Sequence, residues 1–325
     1  MASDGTAAHE SAPNAVFSKG PAPIADAQPP AIEARDLTKH YGKVAALAGL
    51  TMKVPRGEVF GFLGPNGAGK TTAVKLFVGL ARPASGQAWV LGAPVGDRRV
   101  RQKIGYLPEL FRYQSWLSAE EVLSLHCELA GVPRQRRRGE MDRVLTSVGL
   151  ADRAKDRVGT FSKGMQQRLG LGVALLGEPE VVFLDEPTSA LDPIGRHEVR
   201  EIIRDLRARD TTVFLNSHLL GEVELVCDRA AVVDHGRVIA IGTIPELLGA
   251  SNSVRVRVTG LDPRGAAALQ RFGSLTHQGD WLAIIGIADE SVPDLVAEIV
   301  RLGGRVHAVE HQTLEDRFLQ LVQRE

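Results

Sequence analysis

Cysteine and long apolar runs are scarce in this sequence. The 325 residues include only two cysteines, Cys127 and Cys227, which lie far apart and have no His or Cys at metal-ligand spacing. A disulfide framework or a zinc site is therefore not expected, and a reducing cytosolic setting fits best. No stretch approaches the roughly 18 to 20 consecutive apolar residues that a membrane-spanning helix requires. Any work at a membrane would thus need the membrane part of a partner.

An excess of charge of one sign is also missing. Lys and Arg together number 39, and so do Asp and Glu. The overall basicity that is typical of nucleic-acid binding is absent, and no nucleic-acid partner is expected. With 44% hydrophobic residues, the chain has an ordinary globular balance, and it is long enough for more than one domain.

One glycine-rich segment indicates a specific chemistry. Residues 64–72 fit the pattern G-x-x-x-x-G-K-[ST] and follow the short apolar run that ends at Leu63. The order strand, glycine loop, helix turns successive N–H groups and the positive end of the helix dipole toward one anion. Lys70 is expected to neutralise the β- and γ-phosphates, and the Thr71 hydroxyl to coordinate Mg²⁺. The predicted nucleotide-binding residues of this loop are Gly64, Pro65, Asn66, Gly67, Ala68, Gly69, Lys70, Thr71 and Thr72.

The character of the sequence differs among four segments of the chain. Residues 1–31 are rich in Ala, Pro, Ser and Asp without helical periodicity, which predicts a disordered tail. Over residues 32–250, apolar strand-like runs alternate with helical stretches, which is typical of an α/β sheet with parallel strands. Helical spacing without a strand at about 116–160 predicts an inserted helical subdomain. Strand and helix patterns over 251–325 predict a small separate α+β domain.

Two acidic residues follow another apolar run. The run that begins at Val181 places Asp185 at the end of a buried strand, where a carboxylate is costly unless it serves a cation. Mg²⁺ held through water is the natural partner. Glu186 points the other way and is placed to accept a proton from the water that attacks the γ-phosphate.

Two further segments lie at the ends of predicted elements. Ser162 and Gly164 stand where a long apolar helix begins, so that a hydroxyl and free N–H groups face an anion. His218 follows a buried strand, where a histidine is by itself more often structural than functional. A glycine loop alone serves kinases, GTPases, helicases and transport ATPases, so the whole set of segments must decide among these classes.

The succession of these segments resembles one family, the ATP-binding cassette (ABC) ATPases. The order and separations match that family over residues 32 to about 250, through Gly64–Thr71, Ser162-Lys-Gly-Met-Gln166, Asp185-Glu186, Ser189-Ala-Leu-Asp192 and His218. The resemblance implies an α/β, P-loop NTPase core with an antiparallel β subdomain and an inserted helical subdomain, followed here by the small α+β domain. It also implies ATP and Mg²⁺, and a head-to-tail dimer, of this chain or with a paired ATPase subunit, that holds two nucleotides at its interface.

The resemblance also implies a role for individual residues. Glu186 would be the general base, His218 would contact the γ-phosphate, and Lys70 would hold the phosphates during catalysis. Tyr41 matches the aromatic residue that stacks on adenine. The residues implied to serve the ATP of the opposite subunit are Ser162, Gly164 and Gln166.

Two departures from the usual family pattern bear on function. Lys163 and Met165 flank Gly164 where the family usually has small residues, and this resembles the branch that serves drug, lipid or polysaccharide exporters. In the segment that begins at Ile104, Glu109 replaces the usual glutamine; its oxygens suit Mg²⁺, but it adds negative charge near the γ-phosphate. The predicted metal ligands are Thr71, Asp185 and Glu109.

Together these features predict the ATPase subunit of an ABC exporter. It would be cytoplasmic and bound to the inner face of the membrane through a separate integral permease, with ATP closing the dimer and hydrolysis reopening it. Phe111, Tyr113 and Trp116 are candidates for the permease-facing surface, with packing inside the helical subdomain as the alternative. The rival function is a soluble ABC ATPase acting on ribosomes or nucleic acid, but the sustained heptads or metal-ligand spacing of such relatives are missing.

Overall fold

The computed structural model describes residues 28–189, 191–248, 253–311 and 313–322. Residues 1–27 of the predicted tail lie outside these ranges. Its last residue, Ala31, is buried, and its N–H donates to the carbonyl of Val54 at 2.9 Å. Packing therefore begins just before the first strand.

Strands and helices alternate through the first part of the chain. The strands up to residue 248 are β1 Ile32–Tyr41, β2 Val44–Val54, β3 Val59–Leu63, β4 Ser85–Val90, β5 Ala93–Pro94, β6 Ile104–Leu107, β7 Val181–Asp185, β8 Thr212–Asn216, β9 Arg229–Asp234 and β10 Arg237–Thr243. The helices are α1 Lys70–Phe77, α2 Arg98–Arg101, α3 Ala119–Leu129, α4 Arg134–Ser147, α5 Lys163–Ala174, α6 Pro193–Ala208, α7 Leu220–Val226 and α8 Ile244–Leu248.

The central sheet has the strand order β10-β9-β3-β8-β7-β6. Every neighbouring pair is parallel except β9 and β10, which are antiparallel. All residues of β3, β7 and β8 are buried, as continuous apolar runs covered on both faces require. The predicted parallel α/β sheet is confirmed, and it brings the carboxyl ends of these three strands to one edge.

Aromatic residues fill one face of the central sheet. The ring of Phe214 lies 5.9 Å from Phe60, 5.2 Å from Phe62, 5.8 Å from Phe77 and 5.4 Å from Phe183, measured between centroids. Phe77 comes from α1, and the other four rings come from β3, β7 and β8. Offset and edge-on ring pairs of this kind add to the burial of apolar area. They fix α1, the helix that follows the glycine loop, against the sheet.

A second, antiparallel sheet covers this aromatic layer. Its strand order is β2-β1-β4-β5. Apolar side chains such as Leu37, Leu50 and Val90 alternate inward and join the cluster that contains Phe60 and Phe77. This is the predicted antiparallel β subdomain.

Helices α3 to α6 lie against the other face of the central sheet. Their buried side chains, such as Leu123, Val144, Leu171 and Val199, form one cluster with residues of β7 and β8. Helix α3 starts at a capping box in which the Ser118 hydroxyl accepts from the N–H of Glu121. Residues 116–160 thus contain α3, α4 and two 3₁₀ turns and no named strand among the described elements, in line with the predicted helical insert.

The C-terminal segment builds a third sheet. Its elements are β11 Ser253–Thr259, α9 Pro263–Ala268, β12 Ser274–Gln278, β13 Trp281–Ile285, α10 Val292–Arg301, β14 Arg305–His311 and α11 Leu314–Val322. The antiparallel strand order is β12-β13-β11-β14, and a separate apolar cluster forms between this sheet and α10. The division of the chain into independent domains stays a prediction.

Candidate functional site

The glycine loop connects β3 to α1 with a geometry that only glycine accommodates. Gly69 has φ +96°, and a Cβ there would lie 2.1 Å from the carbonyl oxygen of Ala46. A Cβ at Gly64 would lie 2.3 Å from the carbonyl oxygen of Val233. These separations are far below van der Waals contact, so side chains at either position would displace the loop. The loop backbone is thus held close to β2 and β9.

Lys70 is the first residue of α1 and turns its ammonium group back into the loop. Its Nζ donates to the carbonyl oxygens of Gly64 at 2.8 Å and Pro65 at 3.1 Å. Burial lowers the pKa of Lys70, while the charges of Glu186, Asp185 and Glu109 oppose that shift. The side chain is therefore a cation held inside a loop of backbone dipoles and faced by acidic groups.

Asp185 and Asn216 meet at the ends of adjacent parallel strands. They are direct partners in the register of β7 and β8, and the Asn216 Nδ2 donates to the Asp185 Oδ1. Burial raises the pKa of Asp185, and the nearby charges of Glu109 and Glu186 raise it further against the lowering effect of the Asn216 bond. The Asn216 Oδ1 is buried without a hydrogen-bond partner. The site therefore holds a desolvated carboxyl group beside an unused acceptor.

Glu186 and His218 form the third part of the site. The His218 Nδ1 lies 2.8 Å from the Glu186 Oε2, and the Glu186 N–H donates to the Asn216 carbonyl at 2.8 Å. Glu186 has φ +54°, a conformation that a non-glycine residue adopts only where the surroundings hold it. Its side chain is 9% exposed, whereas that of His218 is 49% exposed. The carboxylate is thus fixed at the site by an imidazole that reaches solvent.

These groups surround one cavity of about 380 Å³. Its lining joins the helix start to the strand ends and to Glu109, and comprises Val44, Ala46, Asn66, Gly67, Gly69, Lys70, Thr71, Thr72, Glu109, Glu186, Asn216 and His218. Gly64, Pro65 and Ala68 belong to the same loop without lining the cavity, and Asp185 does not line it but is hydrogen-bonded to Asn216, which does. The lining residues are far apart in the sequence. They extend from Val44 at the start of β2 to His218, which follows β8.

Tyr41 does not line this cavity. It ends β1, is 51% exposed, and its ring lies 5.3 Å from the Nζ of Lys39. Val44, at the start of the next strand, lines the cavity instead. The stacking role of Tyr41 stays a prediction.

The Ser162 segment lies at a second cavity of about 350 Å³. Helix α5 begins at Lys163, and the hydroxyl of its N-cap Ser162 accepts from the N–H of Met165 at 3.2 Å. Gly164 lines this cavity together with Asp192, but Gln166 does not; its Nε2 donates to the Phe161 carbonyl at 3.3 Å. The two cavities share no lining residue. Within one chain, the structure does not bring the Ser162 segment to the glycine loop.

Comparison with known proteins places this geometry in a family. Residues 47–189 match the family model of the ABC transporter. An uncharacterized ABC transporter ATP-binding protein of Nostoc sp. (strain PCC 7120) is 39% identical over 310 residues, which cover 91% of this chain and 91% of the relative. This chain is an ABC transporter ATP-binding protein. It therefore has the P-loop fold of that family and is an ATP-binding, ATP-hydrolysing subunit.

Two further relatives support the same assignment. A fluoroquinolones export ATP-binding protein of Mycobacterium tuberculosis is 40% identical over 250 residues, which cover 74% of this chain and 80% of the relative. A solved structure described as the ATP binding subunit of an ABC transporter is 31% identical, with a TM-score of 0.61, and covers 66% of this chain and 91% of the other. These relatives are transporter subunits, which favours transport over an action on ribosomes or nucleic acid.

The structure of this ABC ATPase adds one site residue that the sequence patterns missed. Asn216 lines the cavity, binds Asp185 and carries the unpaired Oδ1. The available signal was a polar amide at the end of an apolar run. Its role could not be assigned because the adjacency of β7 and β8 is a tertiary property.

The aromatic residues after Glu109 divide between the interior and the surface of the ABC ATPase. Phe111 and Tyr113 pack against the cluster under the helices, with ring centroids 5.4 Å apart, and a Cβ at Gly170 would lie 2.7 Å from the Phe111 ring. Trp116 is 69% exposed. The alternative of packing inside the helical subdomain therefore fits Phe111 and Tyr113, which are partly buried, whereas Trp116 is exposed. The permease-facing surface stays a prediction.

Two features are absent from the described parts of this ABC ATPase. No helix there has the length and apolar character needed to cross a membrane. In the same ranges, no three His, Cys, Asp or Glu side chains come together as a group able to hold a metal ion.

Proposed function

We propose that this ABC ATPase drives an exporter as a dimer that holds two ATP molecules at its interface. The supporting observation is the separation of the two cavities. One carries Lys70, Glu186 and His218, and the other carries Ser162 and Gly164 at the start of α5. Because they share no lining residue, a nucleotide held by the glycine loop would meet a Ser162 segment that comes from the opposite subunit.

The residues of the first cavity suit phosphate transfer to water. Lys70 and the loop N–H groups would bind the phosphates, and Tyr41 would stack on adenine. The Glu186 carboxylate would accept the proton of the attacking water, and His218 would hold that carboxylate and contact the γ-phosphate. The residues that would complete the site from the opposite subunit are Ser162, Gly164 and Gln166.

Mg²⁺ fits the oxygen groups at the strand ends. The Asp185 carboxyl is almost fully buried, a position that favours neutralisation by a cation, and the Asn216 Oδ1 beside it lacks a partner. We assign the ion to Thr71 and Asp185, with Glu109 as a further ligand. When bound, it would supply positive charge to the β- and γ-phosphate oxygens.

Export and a membrane partner complete the proposal. The relative named for fluoroquinolone export and the residues Lys163 and Met165 beside Gly164 support the direction of transport. The exposed apolar side chains of Leu110 and Trp116 lie in the segment after Glu109 and suit contact with a separate integral permease. The chain would then work in the cytoplasm at the inner face of the membrane.

Changing Glu186 to Gln tests the catalytic assignment. The variant keeps the size and most hydrogen bonds of the side chain but cannot take a proton, so ATP turnover should fall by about 10² to 10⁴. ATP binding should persist, and gel filtration with ATP should show an accumulated dimer. Glu290→Gln, at an exposed carboxylate of the C-terminal segment outside α11, is the control. Turnover equal to the wild type would remove Glu186 from the role of base.

Affinity purification from solubilised membranes tests the partner. A tagged chain should retain an integral membrane protein with several predicted spanning helices, and Trp116→Ala should weaken that association because it truncates an exposed apolar contact. Leu225→Ala, at another exposed apolar position, should not. Recovery with ribosomes or DNA in place of a membrane protein would refute the transport assignment.

A further inference from the structure

The C-terminal helix α11 packs on the ATPase part of the chain. Leu314 is 1% exposed and belongs to the same apolar cluster as Val223 of α7 and Leu247 of α8. The N–H of Leu314 donates to the Oε2 of Glu224 in α7 at 3.0 Å, and the Arg317 Nε donates to the Leu247 carbonyl at 3.2 Å. Helix α11 is therefore held to α7 and α8 by apolar and polar contacts together.

The first turn of α11 is also bound to the C-terminal sheet. Thr313 and Asp316 form reciprocal hydrogen bonds of 3.0 and 3.3 Å between side chains and backbone N–H groups, as in a capping box. The Asp316 Oδ1 accepts from Arg255 of β11 at 3.1 Å. A single turn of helix thus joins β11 on one side and α7 on the other.

Helix α7 connects this joint to the site. It begins two residues after His218, whose imidazole contacts Glu186, and the Leu219 N–H donates to the Ser217 hydroxyl at 3.1 Å across the connecting turn. On its inner side, α7 packs on the strand that precedes the glycine loop, because a Cβ at Gly61 would lie 2.7 Å from Val223. Helix α7 is packed between β3 and α11. Because it begins two residues after His218, a shift of α7 would also shift His218.

We propose that α11 is a positioning element for the hydrolytic step, acting through α7 on His218. Leu314 and Glu224 are its positioning residues and touch no substrate. The inference rests on the proposed contact of His218 with the γ-phosphate. It assigns the C-terminal segment a direct effect on turnover, transmitted through the chain itself.

Leu314→Ala is the first test. The variant removes the buried side chain that seats α11 on α7, so kcat for ATP should fall about 5- to 10-fold while KM changes by less than about 2-fold. The control is Leu269→Ala, which removes one buried side chain from the core of the C-terminal sheet and leaves the α11 to α7 contact in place. Its kcat should stay within about 2-fold of the wild type. An equal loss in both variants would overturn the inference, because loosening of the C-terminal sheet would then explain it.

Glu224 provides a test that does not create a cavity. Glu224→Gln keeps an oxygen that accepts from the Leu314 N–H and should retain kcat, whereas Glu224→Ala should lower it in the same direction as Leu314→Ala. Circular dichroism and thermal unfolding verify that each variant is folded. If Leu314→Ala does not fold, the Glu224 pair decides, and equal kcat values for Glu224→Ala and Glu224→Gln overturn the inference.

A double variant tests the path through His218. In the His218→Ala background, Leu314→Ala should lower the residual turnover by less than about 2-fold, because the group that it positions is already gone. If Leu314→Ala lowered turnover in this background as much as in the wild type, by about 5- to 10-fold, α11 would act by a route independent of His218, and the inference would be overturned. Failure of the proposed function looks different: wild-type turnover would then be absent or insensitive to Glu186→Gln.

Discussion

Charge at individual residues determines what the cavity at the glycine loop can hold. Glu109, Asp185 and Glu186 place three carboxyl groups near one lysine, Lys70. Burial raises the pKa of Asp185, and the charges of Glu109 and Glu186 raise it further. Burial, together with the charges of Asp185 and Glu109, raises the pKa of Tyr106 to about 12. Such a surplus of negative charge suits a site that takes up a divalent cation together with a nucleotide.

Glu109→Gln measures the contribution of the one residue that departs from the usual glutamine. If Glu109 is a ligand, the neutral amide should raise the Mg²⁺ concentration for half-maximal ATP hydrolysis several-fold, on the order of the 1 kcal/mol expected for one exposed charge. The control is again Glu290→Gln. A Mg²⁺ titration that does not move would show that Glu109 is not a direct ligand.

Alanine variants of Gly69 and Gly67 distinguish the cost of a steric clash at the Cβ position from the cost of a positive φ. Both have positive φ, +96° and +85°, but a Cβ would clash with Ala46 only at Gly69 and would meet nothing within 4 Å at Gly67. Gly67→Ala should lower the free energy of unfolding by about 1 kcal/mol. Gly69→Ala should cost about 1–3 kcal/mol more, as overpacking does.

Urea unfolding without nucleotide measures both glycine variants under identical conditions. The matched conformations mean that the difference between the two reports the clash with Ala46. Equal losses would show that the loop can move away from β2 without cost.

At the scale of elements, one buried carboxylate ties α4 to the end of α5. Glu140 accepts from Arg143 at 2.7 and 2.9 Å and from the N–H of Gly177 at 2.7 Å, and Arg143 also donates to the carbonyl of Leu175. Burial by itself raises the pKa of Glu140, but the bonds from Arg143 and Gly177 outweigh it and leave that pKa below its usual value. Glu140 and Arg143 thus bind the backbone that follows the C-terminal end of α5.

Glu140→Gln should lower the free energy of unfolding by about 1–3 kcal/mol at pH 7. Because the folded pKa is depressed, the stabilisation by Glu140 is complete above its unfolded pKa near 4.5 and is lost as pH falls through the lower folded pKa. The difference between wild type and variant should therefore shrink below pH 4.5. Denaturant unfolding at pH 7 and below pH 4.5 checks this prediction. The control is Asp142→Asn, at an exposed position of α4. A difference that does not change with pH would contradict the assignment.

At the scale of the whole molecule, the proposed function gives each chain two different half-sites. The start of α5 and the glycine loop belong to separate cavities, and the proposed nucleotide site needs one of each. ATP drives closure in such an arrangement only if it binds the closed dimer more tightly than the open one, which its contacts with both subunits would provide. The C-terminal helix α11 adds a second link, from the third sheet to the segment that carries His218.

Ser162→Arg tests the half-site at α5. An arginine on this exposed N-cap should block approach of a second subunit, so gel filtration with ATP should show only monomer, while the monomer binds ATP with wild-type affinity. The lost cap should cost about 1 kcal/mol, which thermal unfolding would show separately. Ser124→Arg, on the exposed side of α3, is the control. An ATP-dependent dimer of the Ser162 variant would refute this interface.

Local sequence was enough to predict the parts of the site that lie within one element or one turn. The glycine loop, the strand that ends at Asp185 and the helix that starts after Ser162 were all predicted where the structure has them. Each depends on side-chain periodicity, on positive φ or on a helix cap, which are properties of a few consecutive residues.

Contacts between distant elements were decided only by the tertiary structure. Asn216 joins the site because β7 and β8 are neighbours, Phe111 and Tyr113 are partly buried because they pack against the cluster under the helices, and Leu314 of α11 contacts a glutamate 90 residues away. Apolar packing is non-directional, so a pattern specifies that a face is buried without specifying what covers it. The sequence by itself thus determined the family of the chain and its phosphate loop, and the packing of its elements decided which residues share that site.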